Sequence, residues 1–250
     1  MNKKAKKAQL FLYDEIGASF FGGITAEDVV KELKSFGEIE ELNVRINSIG
    51  GSVFEGITIY NLLVDHPSRI VVDIDGLAAS ISSVVAMAGD EIRIAENAMM
   101  MIHDPWAFTG GTADELRKQA DLLDQVKENI VNTYLSQAGE KTDRETIVRL
   151  MADETWPTAQ EALELGLVDA ITEKIDLAAS LRNQKHDKNV LRSFHHIPEE
   201  IRKIFDIPVN EDIDGVVKPP KVAPIVDDRM TRMRLKMKEL EQKHGFPRRA

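Results

Sequence analysis

The sequence contains no cysteine among its 250 residues. This absence excludes disulfides, thiolate nucleophiles and cysteine-ligated zinc together, so any chemistry must use oxygen or nitrogen groups. We expect neither a metal nor a cofactor. No window approaches the roughly 18 to 20 consecutive apolar residues that a membrane span needs, and no apolar stretch follows the N-terminal lysines. We therefore expect a cytoplasmic protein with no membrane partner.

A P-loop is also missing, so the chain cannot supply its own ATPase. Residues 1–180 hold 31 acidic and 16 basic residues, whereas residues 181–250 hold 11 acidic and 16 basic. Nucleic-acid surfaces need clustered Lys and Arg, so the acidic body argues against a nucleic-acid partner. Only the basic tail could meet an anionic partner, and such a tail is more often simply solvated.

Short apolar runs alternate with helical patterns over the first part of the chain, which predicts an α/β domain at residues 1–180 with largely parallel strands. The predicted strands are Leu10 to Tyr13, Leu42 to Ile46, Ile70 to Ile74, Glu91 to Ile94, Met99 to Ile102 and Val168 to Ile171. Capping boxes predict four helix starts, the last of them weaker: Thr112 with Glu115, Thr142 with Glu145, Thr158 with Glu161, and Thr25 with Asp28.

The segment from Thr112 to Gly139 predicts an unusually long helix with one apolar stripe. The stripe could pack on the domain's own sheet, or it could protrude and be buried by a neighbouring subunit. Residues 181–250 predict a basic C-terminal extension, made of a linker with short helices, one of them around Pro198 to Phe205.

A nucleophilic hydroxyl needs a base, a group that orients the base, and N–H donors for the oxyanion. Residues 1–180 contain only two histidines, and His66, before Pro67, is typical of a turn residue. His103 follows the MMMI strand where the chain opens into a loop, which is a common place for active-site residues of parallel folds. On position alone it could also be a core histidine or an ordinary strand-end histidine.

Ser80 is the strongest candidate nucleophile. In DIDGLAASISSVVAMAG a strand ends at Gly76, small residues follow, and Ser80 opens an apolar helix that ends at Gly89. A sharp turn at a helix start exposes a hydroxyl beside unpaired N–H groups. Ser80 could instead merely cap its helix. Earlier in the chain, NSIGG follows the predicted strand LNVRI. Its two adjacent glycines suit either a loop that supplies N–H donors to an oxyanion or an ordinary tight turn.

The order NS-x-GG, G-x-AAS, MIH-x-P and TAQEALELGLVDAI resembles the ClpP serine peptidases, from about Leu10 to Ile175. The resemblance implies Ser80 as nucleophile, His103 as base, and the Gly51 and Ile81 N–H groups as oxyanion donors. For the third member it implies Glu154, where the family usually has aspartate. Asp153 is an open alternative for that member, and either carboxylate could be a solvated loop residue.

The resemblance also implies the ClpP and crotonase superhelix of ββα units, homo-oligomeric rings, a protein or peptide substrate and a separate ATPase unfoldase as a possible partner. In this family the long helix is a handle that meets the opposite ring. Ile49 stands where the family usually has proline. This replacement points to a subgroup, and the sequence is most similar to phage and prophage ClpP-like proteases, which process capsid precursors, in the blocks YDEIG, FEGITIYNLL, IHDPW and ETWPTAQEA. Capsid or scaffold proteins are therefore expected partners.

The sequence thus predicts a serine endopeptidase with a Ser80, His103 and Glu154 triad. Three alternatives stay open at this point: a catalytically silent ClpP-like scaffold, a crotonase-type acyl-CoA enzyme, and a Ser-Lys peptidase. The crotonase type is disfavoured by the Ser80 and His103 pair, since those enzymes generally rely on glutamates.

Overall fold

A parallel sheet forms the centre of the computed structural model, which describes residues 6–18, 23–174 and 194–205. Within these residues the strand order is β1-β2-β3-β4-β6, and β5 pairs with the second half of β3. The strands are β1 (Lys7–Leu12), β2 (Glu41–Ser48), β3 (Arg69–Ala79), β4 (Glu91–Ala95), β5 (Met99–Met101) and β6 (Ala170–Thr172). All pairings are parallel, so the predicted α/β class is confirmed.

Seven α-helices are present in the described part of the chain. They are α1 (Ala26–Phe36), α2 (Val53–Val64), α3 (Ile81–Ala86), α4 (Ala113–Ala138), α5 (Arg144–Ala152), α6 (Ala159–Glu164) and α7 (Glu199–Phe205). None of the helices in the described ranges is long and apolar enough to cross a bilayer. The large core cluster lies between the sheet and its helices, and aliphatic side chains of β2, β3 and β4 are almost completely buried there.

Three of the four predicted capping boxes are confirmed: those of Thr25, Thr112 and Thr158. The fourth prediction was wrong. Asp143 is the N-cap of α5 and accepts from the Thr146 N–H at 2.8 Å. The buried Thr142 hydroxyl instead donates to the Leu165 carbonyl at 2.6 Å, because that carbonyl needs a donor where α6 ends.

Strand β3 is longer than predicted and ends at Ala79 rather than at Gly76. Its first half pairs with β4 and its last three residues pair with β5, so the small residues after Gly76 remain in the sheet. As a result, Ser80 directly follows a strand, and its N–H donates to the Met101 carbonyl at the end of β5 at 2.9 Å. This bond ties the Ser80 turn to the strand that leads to His103.

Helix α4 has two parts with different surroundings. Its C-terminal half is packed in the core through Val126, Ile130 and Tyr134, whereas Leu116 and Ala120 near its start are exposed. The packing on the domain's own sheet is therefore confirmed for the second half of the helix, whereas burial of the first half by a neighbouring subunit stays a prediction.

The short helix predicted around Pro198 to Phe205 is confirmed as α7. The segment before it is not a free linker, because Phe194, Ile197 and Ile201 are buried in a second apolar cluster with side chains of β3 and β5. The predicted boundary at residues 180 and 181, and most of the predicted extension, lie outside the described residues.

Candidate active site

Ser80 lies at the turn between β3 and α3 in a backbone conformation that L-residues rarely adopt, with φ 54° and ψ −130°. Its side chain makes no capping bond to α3, so the hydroxyl does not have the capping role that the sequence allowed. Instead, Ser80 Oγ lies 2.7 Å from His103 Nε2, within hydrogen-bonding distance. Such a strained backbone is typical of sites where side-chain direction matters more than local stability.

His103 follows the end of β5, and the chain there is held by paired backbone bonds between Ile102 and Thr155. Burial lowers the pKa of His103, because desolvation disfavours the charged ring; the nearby Glu154 and Asp104 carboxylates act in the opposite direction. His195 further lowers this pKa. The ring is therefore held as a neutral imidazole, which can accept a proton from a hydroxyl.

The predicted glycine loop lies against Ser80. Gly50 and Gly51 have φ of 90° and 140°, and a Cβ atom at Gly50 would lie 2.7 Å from Ser80 Cβ. Only glycine permits so close an approach. The Gly51 and Ile81 N–H groups make no hydrogen bond to another described residue. Both amides are thus available to a ligand at this turn.

Glu154 is buried, with 7% of its surface exposed, and has φ 48°. Its carboxylate accepts the backbone N–H groups of His195 and His196 at 2.7 Å, and His195 Nδ1 lies 3.2 Å from Oε2. The Trp156 indole N–H is a weaker donor at 3.4 Å. Among the described residues no hydrogen bond joins Glu154 to His103, so its action on that ring is electrostatic.

Asp153 is exposed at the C-cap of α5, and its backbone carbonyl lies 3.0 Å from His196 Nδ1. Of the charged groups that act on the pKa of His103, Glu154 has the largest effect, and Asp153 is not among them. Of the two candidate carboxylates, Glu154 is therefore the one whose charge acts on the ring.

A cleft of about 400 Å³ opens beside Ser80 and His103. Its inner wall is apolar and comes from α3 and the packed half of α4, through Ile81, Val84, Val126 and Ile130. Such a cleft accepts an apolar side chain and leaves the backbone of an extended peptide near the Ser80 hydroxyl.

Phe194 is the residue of this site that sequence reasoning missed. Its ring lines the cleft and packs edge-to-face against His103, with ring centroids 5.4 Å apart. The only sequence signal was the apolar spacing of Phe194, Ile197 and Ile201 in an otherwise polar tail. Spacing of this kind indicates a packed segment but does not say what it packs against.

His66 and the two other serines of α3 make contacts that serve the fold. His66 Nδ1 lies 2.6 Å from Ser68 Oγ, as expected of a turn residue. Ser82 and Ser83 are buried in α3, and Ser83 Oγ lies 2.8 Å from the Tyr134 hydroxyl. Within residues 6–18, 23–174 and 194–205, no three His, Asp or Glu side chains are close enough together to hold a metal ion.

Comparison with known proteins identifies a matching family and several similar proteins. The Clp protease family model matches residues 1–175. The chain is 35% identical over 142 residues to ATP-dependent Clp protease proteolytic subunit 1 of Leifsonia xyli subsp. xyli, which covers 56% of this chain and 71% of that protein. Subunit 2 of Tropheryma whipplei is 35% identical over 137 residues, covering 53% of this chain and 73% of that protein.

The third relative, subunit 3 of Streptomyces coelicolor, is 34% identical over 138 residues and is covered over 62% of its length. The residues that match the family model include Ser80 at the β3–α3 turn and His103 just after β5. The chain therefore belongs to the Clp protease family and is a serine endopeptidase.

Proposed function

We propose that Ser80 is the nucleophile and His103 the general base of this peptidase. The observation that supports the assignment is the 2.7 Å distance between Ser80 Oγ and His103 Nε2. The Ser80 side chain can make this contact because it does not cap helix α3. A neutral imidazole at this distance can take the hydroxyl proton as the oxygen attacks a peptide carbonyl.

The reaction proceeds through two tetrahedral intermediates. Ser80 Oγ bonds to the carbonyl carbon while its proton passes to His103 Nε2, and the carbonyl oxygen becomes an oxyanion. His103 then returns the proton to the leaving amine, and an acyl-enzyme forms on Ser80. Water, deprotonated by the same ring, hydrolyses the acyl-enzyme and regenerates the hydroxyl.

We assign the Gly51 and Ile81 N–H groups to the oxyanion. Both amides belong to segments that meet at Ser80, and neither is used by another described residue. Unused N–H groups at a helix start are positioned donors that need no reorganisation when negative charge develops.

We assign the third triad position to Glu154. Its negative charge acts on the His103 ring and favours the imidazolium that forms during attack. Because its hydrogen bonds in this structure go to His195 and His196, we expect Glu154 to stabilise the imidazolium mainly through its charge.

The decisive experiment replaces Ser80 by Ala. We expect kcat for peptide hydrolysis to fall by about 10⁴- to 10⁶-fold while the protein stays folded, and labelling by a serine-reactive phosphonate to disappear. The matched control is Ser136→Ala, an exposed serine on α4, which should retain both activity and labelling. An active or labelled Ser80→Ala protein would rule out the assignment and leave a different nucleophile or a silent scaffold.

The oligomeric and ATPase partners are part of the same proposal. Its relatives are named proteolytic subunits of ATP-dependent proteases, and this chain has no P-loop of its own. We propose that it forms homo-oligomeric rings and accepts protein substrates unfolded by a separate ATPase. Degradation of a folded protein only when such an ATPase and ATP are added would support this dependence.

The capsid substrate remains a prediction based on the sequence blocks alone. Incubation of the enzyme with a purified capsid precursor, compared with an unrelated unfolded protein such as casein, tests it. Cleavage of the precursor at a few defined bonds supports capsid processing, whereas equal degradation of both proteins indicates a general peptidase.

A further inference from the structure

The segment from Phe194 to Ile201 lies outside the part of the chain that matches the Clp protease family, yet it contacts the candidate triad. Its contacts are of two kinds. Backbone N–H groups of His195 and His196 bind the Glu154 carboxylate, and apolar side chains pack on the sheet beside Ser80.

The polar contacts satisfy a buried charge. A buried carboxylate needs hydrogen-bond donors, and within the family-matched residues that are described only the Trp156 indole N–H reaches Glu154, at 3.4 Å. The segment adds two backbone donors at 2.7 Å. The buried state of Glu154 therefore depends on the segment being docked.

The apolar contacts are extensive for so short a segment. Phe194, Ile197 and Ile201 are 7%, 6% and 1% exposed, and they share a cluster with Leu77 and Ala79 of β3, Met101 of β5, and Ile49. Leu77 and Ala79 belong to β3, the strand that Ser80 directly follows, and Ile49 belongs to the glycine loop. The docked segment thus packs on the two elements that form the catalytic turn.

We propose that Phe194 is a positioning residue of the peptidase, which holds the His103 ring against Ser80, and that Glu154 and Ile201 anchor the segment that carries it. The inference rests on the proposed roles of Ser80 and His103. Phe194 packs edge-to-face on His103 and, from its other side, on Trp156, with ring centroids 5.8 Å apart. An imidazole held by one Ser80 bond alone could rotate, and the aromatic contact restricts that rotation.

The proposal predicts a change in the titration of His103 as well as in rate. The groups that face this ring are Glu154, Asp104 and His195. Removing Phe194 reduces the desolvation of the ring, which is the main cause of its lowered pKa. Loosening the segment also withdraws His195, which raises the pKa of His103 further. Solvation of the freed Glu154 weakens its charge effect and acts in the opposite direction, but desolvation is the largest influence on this ring, so the net shift is upward.

The experiment compares Phe194→Ala with the wild-type full-length chain. We expect kcat to fall by about 10- to 100-fold, KM to change less, and the acidic midpoint of the kcat/KM profile to move to higher pH. Phe194→Leu, which keeps apolar cover over the ring, should recover part of both effects. Phe11→Ala, an exposed aromatic on β1, is the control and should leave rate and midpoint unchanged.

A second variant tests the anchor without touching the ring. Ile201→Asn should move the acidic midpoint in the same direction as Phe194→Ala, and thermal melts identify any variant that is simply unfolded. An unchanged kcat and midpoint in folded Phe194→Ala would overturn the proposal, since Phe194 would then only fill space. A rise in kcat/KM would overturn it too, because the segment would then obstruct the cleft.

Failure of the triad assignment is distinguishable from failure of this inference. If Ser80→Ala retains activity, the roles of Ser80 and His103 are wrong. If Ser80→Ala is inactive and Phe194→Ala behaves as the wild type, the triad stands and only the positioning role of Phe194 is lost.

Discussion

Burial lowers the pKa of the His103 ring, whereas the charges of nearby carboxylates raise it, and burial has the larger effect. The base must be neutral to accept the Ser80 proton, and a lowered pKa keeps it neutral to lower pH. We therefore expect the acidic midpoint of the kcat/KM profile to lie below the ordinary histidine value of about 6.5. Hydrolysis of a short peptide across a pH series measures it, with melting curves at each pH as the control. A midpoint above 6.5 would contradict the burial argument.

Gly51 has no space for a side chain. With φ 140°, a Cβ atom there would lie 2.2 Å from the Ile16 carbonyl oxygen. We expect Gly51→Ala to lower the free energy of unfolding by about 1 to 3 kcal/mol and to slow phosphonate labelling of Ser80.

Urea denaturation measures the stability effect of this substitution. The matched control is Gly110→Ala, since a Cβ atom there meets nothing within 4 Å and the backbone has no positive φ. Equal stability and labelling in the two variants would show that the loop can move away from Ile16 at little cost.

At the scale of single elements, the start of α5 illustrates how tertiary contacts override a local pattern. Thr142 and Glu145 have the spacing of a capping box, but the Thr142 hydroxyl is used 23 residues away by the Leu165 carbonyl. The neighbouring Asp143 then becomes the cap. A capping pattern predicts that a helix begins, and competition for the hydroxyl decides which residue caps it.

This difference can be measured. We expect Asp143→Ala to lower the free energy of unfolding by about 1 kcal/mol, because a Thr146 N–H loses its acceptor. Glu145→Ala should have an effect below about 0.5 kcal/mol, since its exposed side chain is not part of a capping box. Chemical denaturation of both variants measures the two losses of stability. A larger loss in Glu145→Ala than in Asp143→Ala would support the capping box of Thr142 and Glu145 that the sequence predicts.

At the scale of the whole molecule, the exposed half of α4 and the loop before it carry apolar side chains that the described chain covers only in part. Trp106, Phe108, Leu116 and Leu122 are 40% to 74% exposed. Exposed apolar side chains grouped in one region are typical of protein interfaces. We attribute this surface to contact between copies of the chain in the proposed ring assembly.

We expect the double substitution of Leu116 and Leu122 by Asp to reduce the molecular mass measured by light scattering. The physical reason is that charge in an apolar interface must be desolvated without a partner. Lys118→Glu, on the same exposed part of α4, is the control because it adds negative charge without removing apolar surface. An unchanged mass in the double variant would place the assembly contact elsewhere.

The sequence by itself determined the α/β class, the order of strands and helices, and the two residues with the 2.7 Å contact, Ser80 and His103. The fold class and the order of elements depend on local signals, since hydrophobic periodicity and helix caps act within a few residues. The residues alone left a helix cap and a strand-end histidine as alternatives, and the resemblance of the four sequence blocks to the ClpP peptidases singled out Ser80 and His103.

Only the tertiary structure decided the hydrogen-bond partners of Glu154 and the presence of Phe194 at the cleft. Glu154 binds backbone groups 41 and 42 residues further along the chain, and Phe194 is 91 positions after His103. No spacing rule connects such positions, because the contact arises when an apolar segment finds an uncovered face of the sheet. Burial of that segment then determines which donors reach the carboxylate and which ring restrains the base.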